Sequence, residues 1–279
     1  MRIAYRIFSF ALLLALSVWP FASAGAQGDA PVVRITQVDN SNFPNVTVYL
    51  SVTNSAGEPV GIDPTTIQIM ENGELMEITD IRGGGEGGGE PVTTMLVIDI
   101  SGSMDKNDKI GAAKEAAKAY VAQMRPGDQA GIIAFDTQVH SVHDVSSDIG
   151  SLQAAIDGLG TGSDTAMYNA ILEGSKALEG VSGRKAIIVL SDGLDNQSSS
   201  TEADIVNSVG PSGLTISAIG FGDPGAAGQA GIDEAGLRSL TSQTGGQYAY
   251  ASDAAALAAL YQQFGQALQS EYAVTYVTP

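Results

Sequence analysis

Oxygen-bearing side chains follow an apolar run in the middle of the chain. The run Met95 to Ile98 leads into Asp99, Ser101 and Ser103, which place one carboxylate and two hydroxyls at alternate positions. A continuous apolar run of this length is typical of a strand that is covered on both faces in a parallel sheet. Ligands of open α/β sheets bind outside the carboxyl ends of the strands. The sequence therefore predicts a polar site directly after this run.

Two later segments offer further oxygen ligands. The apolar run Ala186 to Leu190 precedes Asp192, which puts a second carboxylate at the end of a second strand. Thr165 lies in a loop between the two runs, directly before a helical pattern. A hard cation such as Mg²⁺ takes about six oxygen ligands, so one carboxylate and two hydroxyls would be an incomplete set. The predicted metal-ligating residues are Asp99, Ser101, Ser103, Thr165 and Asp192.

This order of motifs, Asp-x-Ser-x-Ser, then a Thr loop, then Asp-Gly, resembles the metal-ion-dependent adhesion site of von Willebrand factor type A domains. The resemblance covers most of the chain after Pro91. It implies that Ser101, Ser103 and Thr165 are hydroxyl ligands of Mg²⁺, or of Mn²⁺ or Ca²⁺, and that both carboxylates bind directly or through water. It also implies an open coordination position for an Asp or Glu of a partner protein. The expected role is therefore adhesion or protein–protein interaction without a reaction.

Two other interpretations, helix capping by Asp99 and Ser101 and metal binding by the histidines, are weaker than the oxygen-ligand site. Asp99 and Ser101 are good N-cap types and could simply cap the following helix, but a cap would not require Thr165 and Asp192. His140 and His143 are the only histidines and could bind a metal. Without a His-Glu-x-x-His pattern, this spacing more often marks an exposed edge or loop. We therefore expect no enzyme; the alternatives are a chaperone-like assembly factor of an envelope complex and, less favoured, a metal-dependent hydrolase.

The fold class predicted for residues 91–269 is α/β, with a doubly wound, mostly parallel sheet and flanking helices. The alternating runs of residues 30–82, separated by Asn54–Gly57 and Glu71–Gly73, predict hairpins in a small β-sandwich-like module. Residues 83–90 are a Gly-rich linker by composition. The predicted strands of the large sheet are Thr94–Ile98, Gln129–Phe135, Ala186–Ser191 and Thr215–Gly220, and the predicted helices include Ala166–Leu178 and Ser252–Leu268. The family resemblance implies a further helix, the first of the domain, over Lys109–Met124.

The tail, residues 270–279, contains an alternating pattern in which Tyr272, Val274 and Tyr276 share one face of a strand. About fifty residues are few for an independent sandwich, so this strand is expected to return and complete the first module. The alternatives are that the tail adds an edge strand to the large sheet, or that the chain is the front portion of a longer architecture.

The first residues predict export. Residues 1–26 contain Arg2 and Arg6, then an apolar core from Ile7 to Phe21, then the small residues Ala22–Ala24, in the order of a cleavable signal peptide. An uncleaved membrane anchor is the alternative, and the Pro before the small residues favours cleavage. The chain has no Cys, which excludes disulfides and a lipid-modified cysteine. The expected location is secreted, periplasmic or at the cell surface.

The charge balance argues against nucleic acid as a partner. The chain has 31 acidic and 13 basic residues and a net charge of −18. Binding to phosphates depends on Lys and Arg, and no basic cluster occurs. No segment after the signal region is long enough to span a bilayer, so no stable membrane span is expected once the signal is removed.

Overall fold

The computed structural model describes residues 30–55, 58–84, 89–209, 213–222 and 232–279. The predicted signal peptide and residues 85–88 of the predicted Gly-rich linker lie outside the described residues. No helix in the described part is long and apolar enough to cross a membrane.

The described residues form strands, helices and two short 3-10 segments. The strands are β1 (Val32–Asp39), β2 (Asn45–Thr53), β3 (Met70–Glu71), β4 (Glu74–Leu75), β5 (Ile78–Gly83), β6 (Val92–Asp99), β7 (Gln129–Phe135), β8 (Val139–Ser146), β9 (Arg184–Ser191), β10 (Thr215–Phe221), β11 (Tyr248–Ala251) and β12 (Tyr272–Val277). The helices are α1 (Lys109–Ala122), α2 (Ile149–Asp157), α3 (Met167–Ala177), α4 (Glu202–Val209), α5 (Glu234–Gln243) and α6 (Ala254–Gln269). The 3-10 segments are Pro64–Thr66 and Gly102–Asp108.

The larger sheet has six strands in the order β11-β10-β9-β6-β7-β8. All neighbours are parallel except β7 and β8, which pair antiparallel at one edge. Together with the flanking helices, this confirms the predicted α/β fold. Because β6 and β9 are parallel neighbours at the centre, their carboxyl ends meet at the same edge of the sheet. The residues that follow these two strands are therefore brought together.

Both faces of this sheet are covered, because β6 is buried along its whole length. Successive side chains of a strand point to opposite faces. Leu96 and Ile98 accordingly pack with residues of α1, α2 and α6. Met95 and Val97 pack on the other side with residues of α3, α4 and α5. The continuous apolar run in the sequence thus reflects two separate hydrophobic cores, one on each face.

The smaller sheet is antiparallel, with the order β1-β2-β12-β5. Val48, Leu50 and Val274 are buried on one face, together with Ile69 from the segment before β3. The β3–β4 hairpin turns through Asn72–Gly73, which have φ values of 52° and 86°. Positive φ at both central residues is the requirement of a type I′ turn, which Asn-Gly meets at low cost. The hairpin predicted at Glu71–Gly73 is therefore confirmed.

The last strand lies in the middle of the small sheet and not at an edge of the large one. Tyr272 is paired with Leu50 of β2 on one side and with Gly83 of β5 on the other. The chain thus leaves the small sheet after β5, builds the large sheet, and returns through α6 into β12. The large unit is inserted between two strands that are neighbours in the small sheet.

A buried polar network joins the two sheets. The guanidinium of Arg184, at the start of β9, is 1% exposed. It donates to both carboxylate oxygens of Glu271, between α6 and β12. It also donates to Gln37 Oε1 on β1 at 2.9 Å and to Thr215 Oγ1 on β10 at 2.9 Å. Because every group in it has a partner, the network holds the small sheet against the amino-terminal ends of β9 and β10.

Candidate metal centre

Asp99 is the last residue of β6, and its side chain is fully buried. Its Oδ1 accepts a hydrogen bond from the Ser101 backbone N–H at 2.8 Å, and its Oδ2 accepts one from the Ser191 hydroxyl at 2.7 Å. Burial, reinforced by the nearby negative charge of Asp192, raises the pKa of Asp99 to about 6 despite these hydrogen bonds. None of the ion pairs among the described residues includes Asp99.

Asp192 follows β9 directly, and its side chain is also fully buried. Its Oδ1 accepts a hydrogen bond from the Ser103 hydroxyl at 2.5 Å, and its Oδ2 lies 2.5 Å from Lys109 Nζ. The Ser103 hydroxyl is also 3.0 Å from that of Ser101. The carboxylate and both hydroxyls therefore form one connected cluster at the carboxyl ends of β6 and β9.

The loop that carries Thr165 is attached to both neighbouring loops. The Thr165 backbone carbonyl accepts hydrogen bonds from the N–H groups of Asn196 and Gln197 at 3.0 and 3.2 Å. The Thr165 N–H donates to Asn196 Oδ1 at 3.0 Å. On the other side, Ser163 O accepts from Gly102 N at 2.7 Å. A Cβ at Gly102 would lie 3.3 Å from the Ser163 carbonyl oxygen, so the glycine permits this approach. These backbone contacts join the loop of the buried Thr165 to the loops that follow β6 and β9.

Met104 anchors the loop that carries the two serines. It is fully buried in the core of the sheet face that α1 covers. Asn107 and Asp108 both have a φ of 55°, which turns the chain sharply into α1. Lys109, the first residue of that helix, is thereby brought to Asp192.

The site contains residues that the sequence did not predict. Ser191, the last residue of β9, donates a hydrogen bond to Asp99, and Lys109 forms an ion pair with Asp192. Ser191 directly precedes a predicted ligand, which was a usable signal. Lys109 gave no such signal, because a lysine at a helix start is ordinarily exposed.

The histidines lie elsewhere. Both are on the edge strand β8, where His140 Nε2 is 2.9 Å from Asp136 Oδ1 and His143 Nδ1 is 2.7 Å from the Asp144 carbonyl oxygen. No hydrogen bond in the described part of the chain joins either ring to the two buried carboxylates. An exposed edge or loop was expected for this pair, and both residues lie on an edge strand, where His140 is exposed and His143 is partly exposed.

The donor set suits a hard divalent cation. Carboxylate and hydroxyl oxygens are the ligands that Mg²⁺ and Mn²⁺ prefer. A buried carboxylate without a cationic partner, such as Asp99, is costly and gains most from a nearby positive charge. Ser101 and Ser103 extend from the same loop, so the residues present fit an ion held between the ends of β6 and β9.

Comparison with known proteins agrees with the fold. Residues 94–194, which include β6, the Thr165 loop and β9, match the family model of the von Willebrand factor type A domain. The chain contains a von Willebrand factor type A (VWA) domain. No curated protein matches the sequence.

Solved structures with the same fold come from several bacteria. A von Willebrand factor type A protein from Catenulispora acidiphila superposes with a TM-score of 0.57 and 18% identity, over 89% of this chain and 52% of that one. This chain thus spans about half of that protein. An aerotolerance-related membrane protein from Bacteroides fragilis superposes with a TM-score of 0.53 and 20% identity, over 62% of this chain and 98% of that one. The vWF domain of the type V pili tip protein Mfa5 from Porphyromonas gingivalis has a TM-score of 0.53 and 17% identity, over 64% of this chain and 95% of that one.

Proposed function

We propose that the VWA domain binds a divalent cation, Mg²⁺ or alternatively Mn²⁺ or Ca²⁺, and through it the carboxylate of a partner protein. The proposed ligands are Asp99, Ser101, Ser103, Thr165 and Asp192. The observation that carries the proposal is the buried Asp99 carboxylate, which lies beside a second carboxylate and two hydroxyls and takes part in no ion pair of the described residues. A cation is the group that would offset this unfavourable charge.

The ligand chemistry favours a charged partner. Two carboxylates formally balance a divalent ion, while the hydroxyls are neutral and reduce its Lewis acidity little. At an open coordination position in a partly desolvated crevice, an Asp or Glu oxygen is bound more strongly than water. VWA domains are typically interaction modules, so the proposed role is adhesion or protein–protein interaction without a reaction. Both site carboxylates would be ligands, which leaves neither as a general base for a hydrolase.

The proposed location is secreted, periplasmic or at the cell surface. Its supports are the signal-peptide pattern of residues 1–26 and the fold shared with a membrane protein and a pili tip protein. The alternative role is a chaperone-like assembly factor that grips an acidic residue of an envelope client. The identity of the protein captured in the experiment below decides between the two.

The proposal is tested by partner capture with the tagged, exported chain from its native envelope. A protein retained in Mg²⁺ should be released by EDTA. Thr165→Ala, and the double substitution Ser101→Ala with Ser103→Ala, should each fail to retain it, because they remove ligands and leave the net charge unchanged. Mutation of a single Asp or Glu on the captured partner should abolish binding.

Ser163→Ala is the matched control. Ser163 is a hydroxyl residue in the same loop as Thr165, and its exposed side chain contacts Thr137 at 2.9 Å. This variant should retain the partner as the wild type does. Binding that survives EDTA and the ligand substitutions would contradict the proposal and assign the contact to another surface, such as the small sheet.

A further inference from the structure

We propose that Lys109 is an internal counter-ion of the metal centre: it neutralises Asp192 in the metal-free protein, and a divalent cation must compete with it. This inference rests on the proposed function. It adds a residue that sets the metal affinity and lies outside the oxygen ligands.

The contact is close and shielded from water. Lys109 Nζ lies 2.5 Å from Asp192 Oδ2, and the side chains are 19% and 0% exposed. A pair at this distance with one partner fully buried is little screened by salt. It differs in this respect from the surface pairs of the chain, such as Arg82 with Asp80, whose side chains are about half exposed.

The backbone directs the lysine into the site. Asn107 and Asp108 adopt left-handed conformations directly before it, and these place the first residue of α1 over the end of β9. Gly222, after β10, leaves room for the ammonium group, since a Cβ there would lie 3.0 Å from Lys109 Nζ. The ammonium group of Lys109 therefore lies between the ends of β9 and β10.

The two oxygens of Asp192 face different partners. Oδ1 accepts from Ser103, a proposed metal ligand, whereas Oδ2 is occupied by Lys109. An ion held among the hydroxyls would lie next to this ammonium group and be repelled by it. The lysine therefore stabilises the metal-free protein and weakens metal binding at the same time, and it sets how much cation is needed to complete the site.

The test is Lys109→Met in the full mature chain, with Mn²⁺ alone as the probe in isothermal titration calorimetry. Removing the competing charge should tighten Mn²⁺ binding by about tenfold. In EDTA the same variant should melt at least about 5 °C below the wild type, because Asp192 loses its buried partner. Lys109→Arg keeps the charge and should stay close to wild-type Mn²⁺ affinity.

Lys106→Met is the matched control, because Lys106 is an exposed lysine of the same loop and its loss changes the net charge equally. It should change the Mn²⁺ affinity by less than about twofold. Affinity in Lys109→Met that equals this control, or that is weaker than wild type, would overturn the counter-ion role; weaker binding would mean that the lysine only positions Asp192. A wild type and Lys109→Met that both fail to bind Mn²⁺ would contradict the proposed function as well.

Discussion

Asp99→Asn should make the metal-free protein more stable at neutral pH. Burial raises the pKa of Asp99 from an ordinary 3.8 to about 6, which corresponds to roughly 3 kcal/mol of unfavourable free energy for the ionised form. An Asn can keep the bond from Ser101 N–H through its carbonyl oxygen. Its amide can donate to Ser191, whose hydroxyl is already 3.4 Å from the Gly193 carbonyl oxygen and can turn to it. The substitution therefore removes the charge and keeps the hydrogen bonds.

The sign of the pH dependence follows from linkage. Well below pH 3.8 the Asp99 carboxyl is protonated in both the folded and the unfolded chain and costs nothing. Between pH 3.8 and about 6 the folded chain holds the proton and the unfolded chain does not, so wild-type stability falls as the pH rises. Above about pH 6 the full cost of about 3 kcal/mol is present. The advantage of Asp99→Asn should thus grow from near zero at low pH to this value.

Urea denaturation in EDTA at a series of pH values measures this advantage. Asp105→Asn, which changes an exposed carboxylate of the same loop, is the control and should differ from the wild type by less than about 0.5 kcal/mol. Saturating Mg²⁺ should stabilise the wild type and leave Asp99→Asn unchanged. If Asp99→Asn is less stable than the wild type at neutral pH without metal, or if its advantage does not vary with pH, the electrostatic reasoning is wrong.

Two further predictions concern the metal and the buried network. At ten times its dissociation constant, Mg²⁺ should stabilise the wild type by about 1.4 kcal/mol, seen as a higher melting temperature in scanning calorimetry. Asp192→Ala should lose this response, and an equal response would contradict its assignment as a ligand. Arg184→Met should lower the free energy of unfolding in urea by about 3–5 kcal/mol, because Glu271 is left buried without its partner. Arg82→Met is the control: it breaks a half-exposed pair and should lower the free energy of unfolding by less than about 1 kcal/mol. An equally small decrease in Arg184→Met would contradict the role of the network.

The large sheet and the cluster could be predicted from the sequence because both depend on local patterns. The strand predicted at Gln129–Phe135 has those bounds in the structure. The helix that the family resemblance implied from Lys109 begins at that residue. Apolar runs bounded by polar residues mark buried parallel strands, and the strand order then brings Asp99 and Asp192 together. Contacts within a few residues of the chain, such as Ser101 with Ser103, follow from spacing alone.

Other features depend on contacts between distant segments. β8 and β11 were not predicted: β8 is an edge strand with many polar residues, and β11 has only the residues Tyr248–Ala251. The ion pair of Lys109 with Asp192 joins positions 83 residues apart. The pairing of Gln37 with Arg184 joins positions 147 residues apart. No local pattern encodes such partners, because their choice depends on how the elements pack.

The central position of β12 in the small sheet determines the order in which the protein can assemble during synthesis. β2 and β5 leave the ribosome early, but the edge of each strand that pairs with β12 stays open until Tyr272–Val277 has been translated. Closing this sheet therefore requires contacts of high sequence separation, which form slowly. The large sheet and its flanking helices are built from the segment between β6 and α6, so their strand pairing does not require β12. A nascent or truncated chain that stops before Tyr272 carries two unpaired strand edges, the kind of surface that recruits other chains.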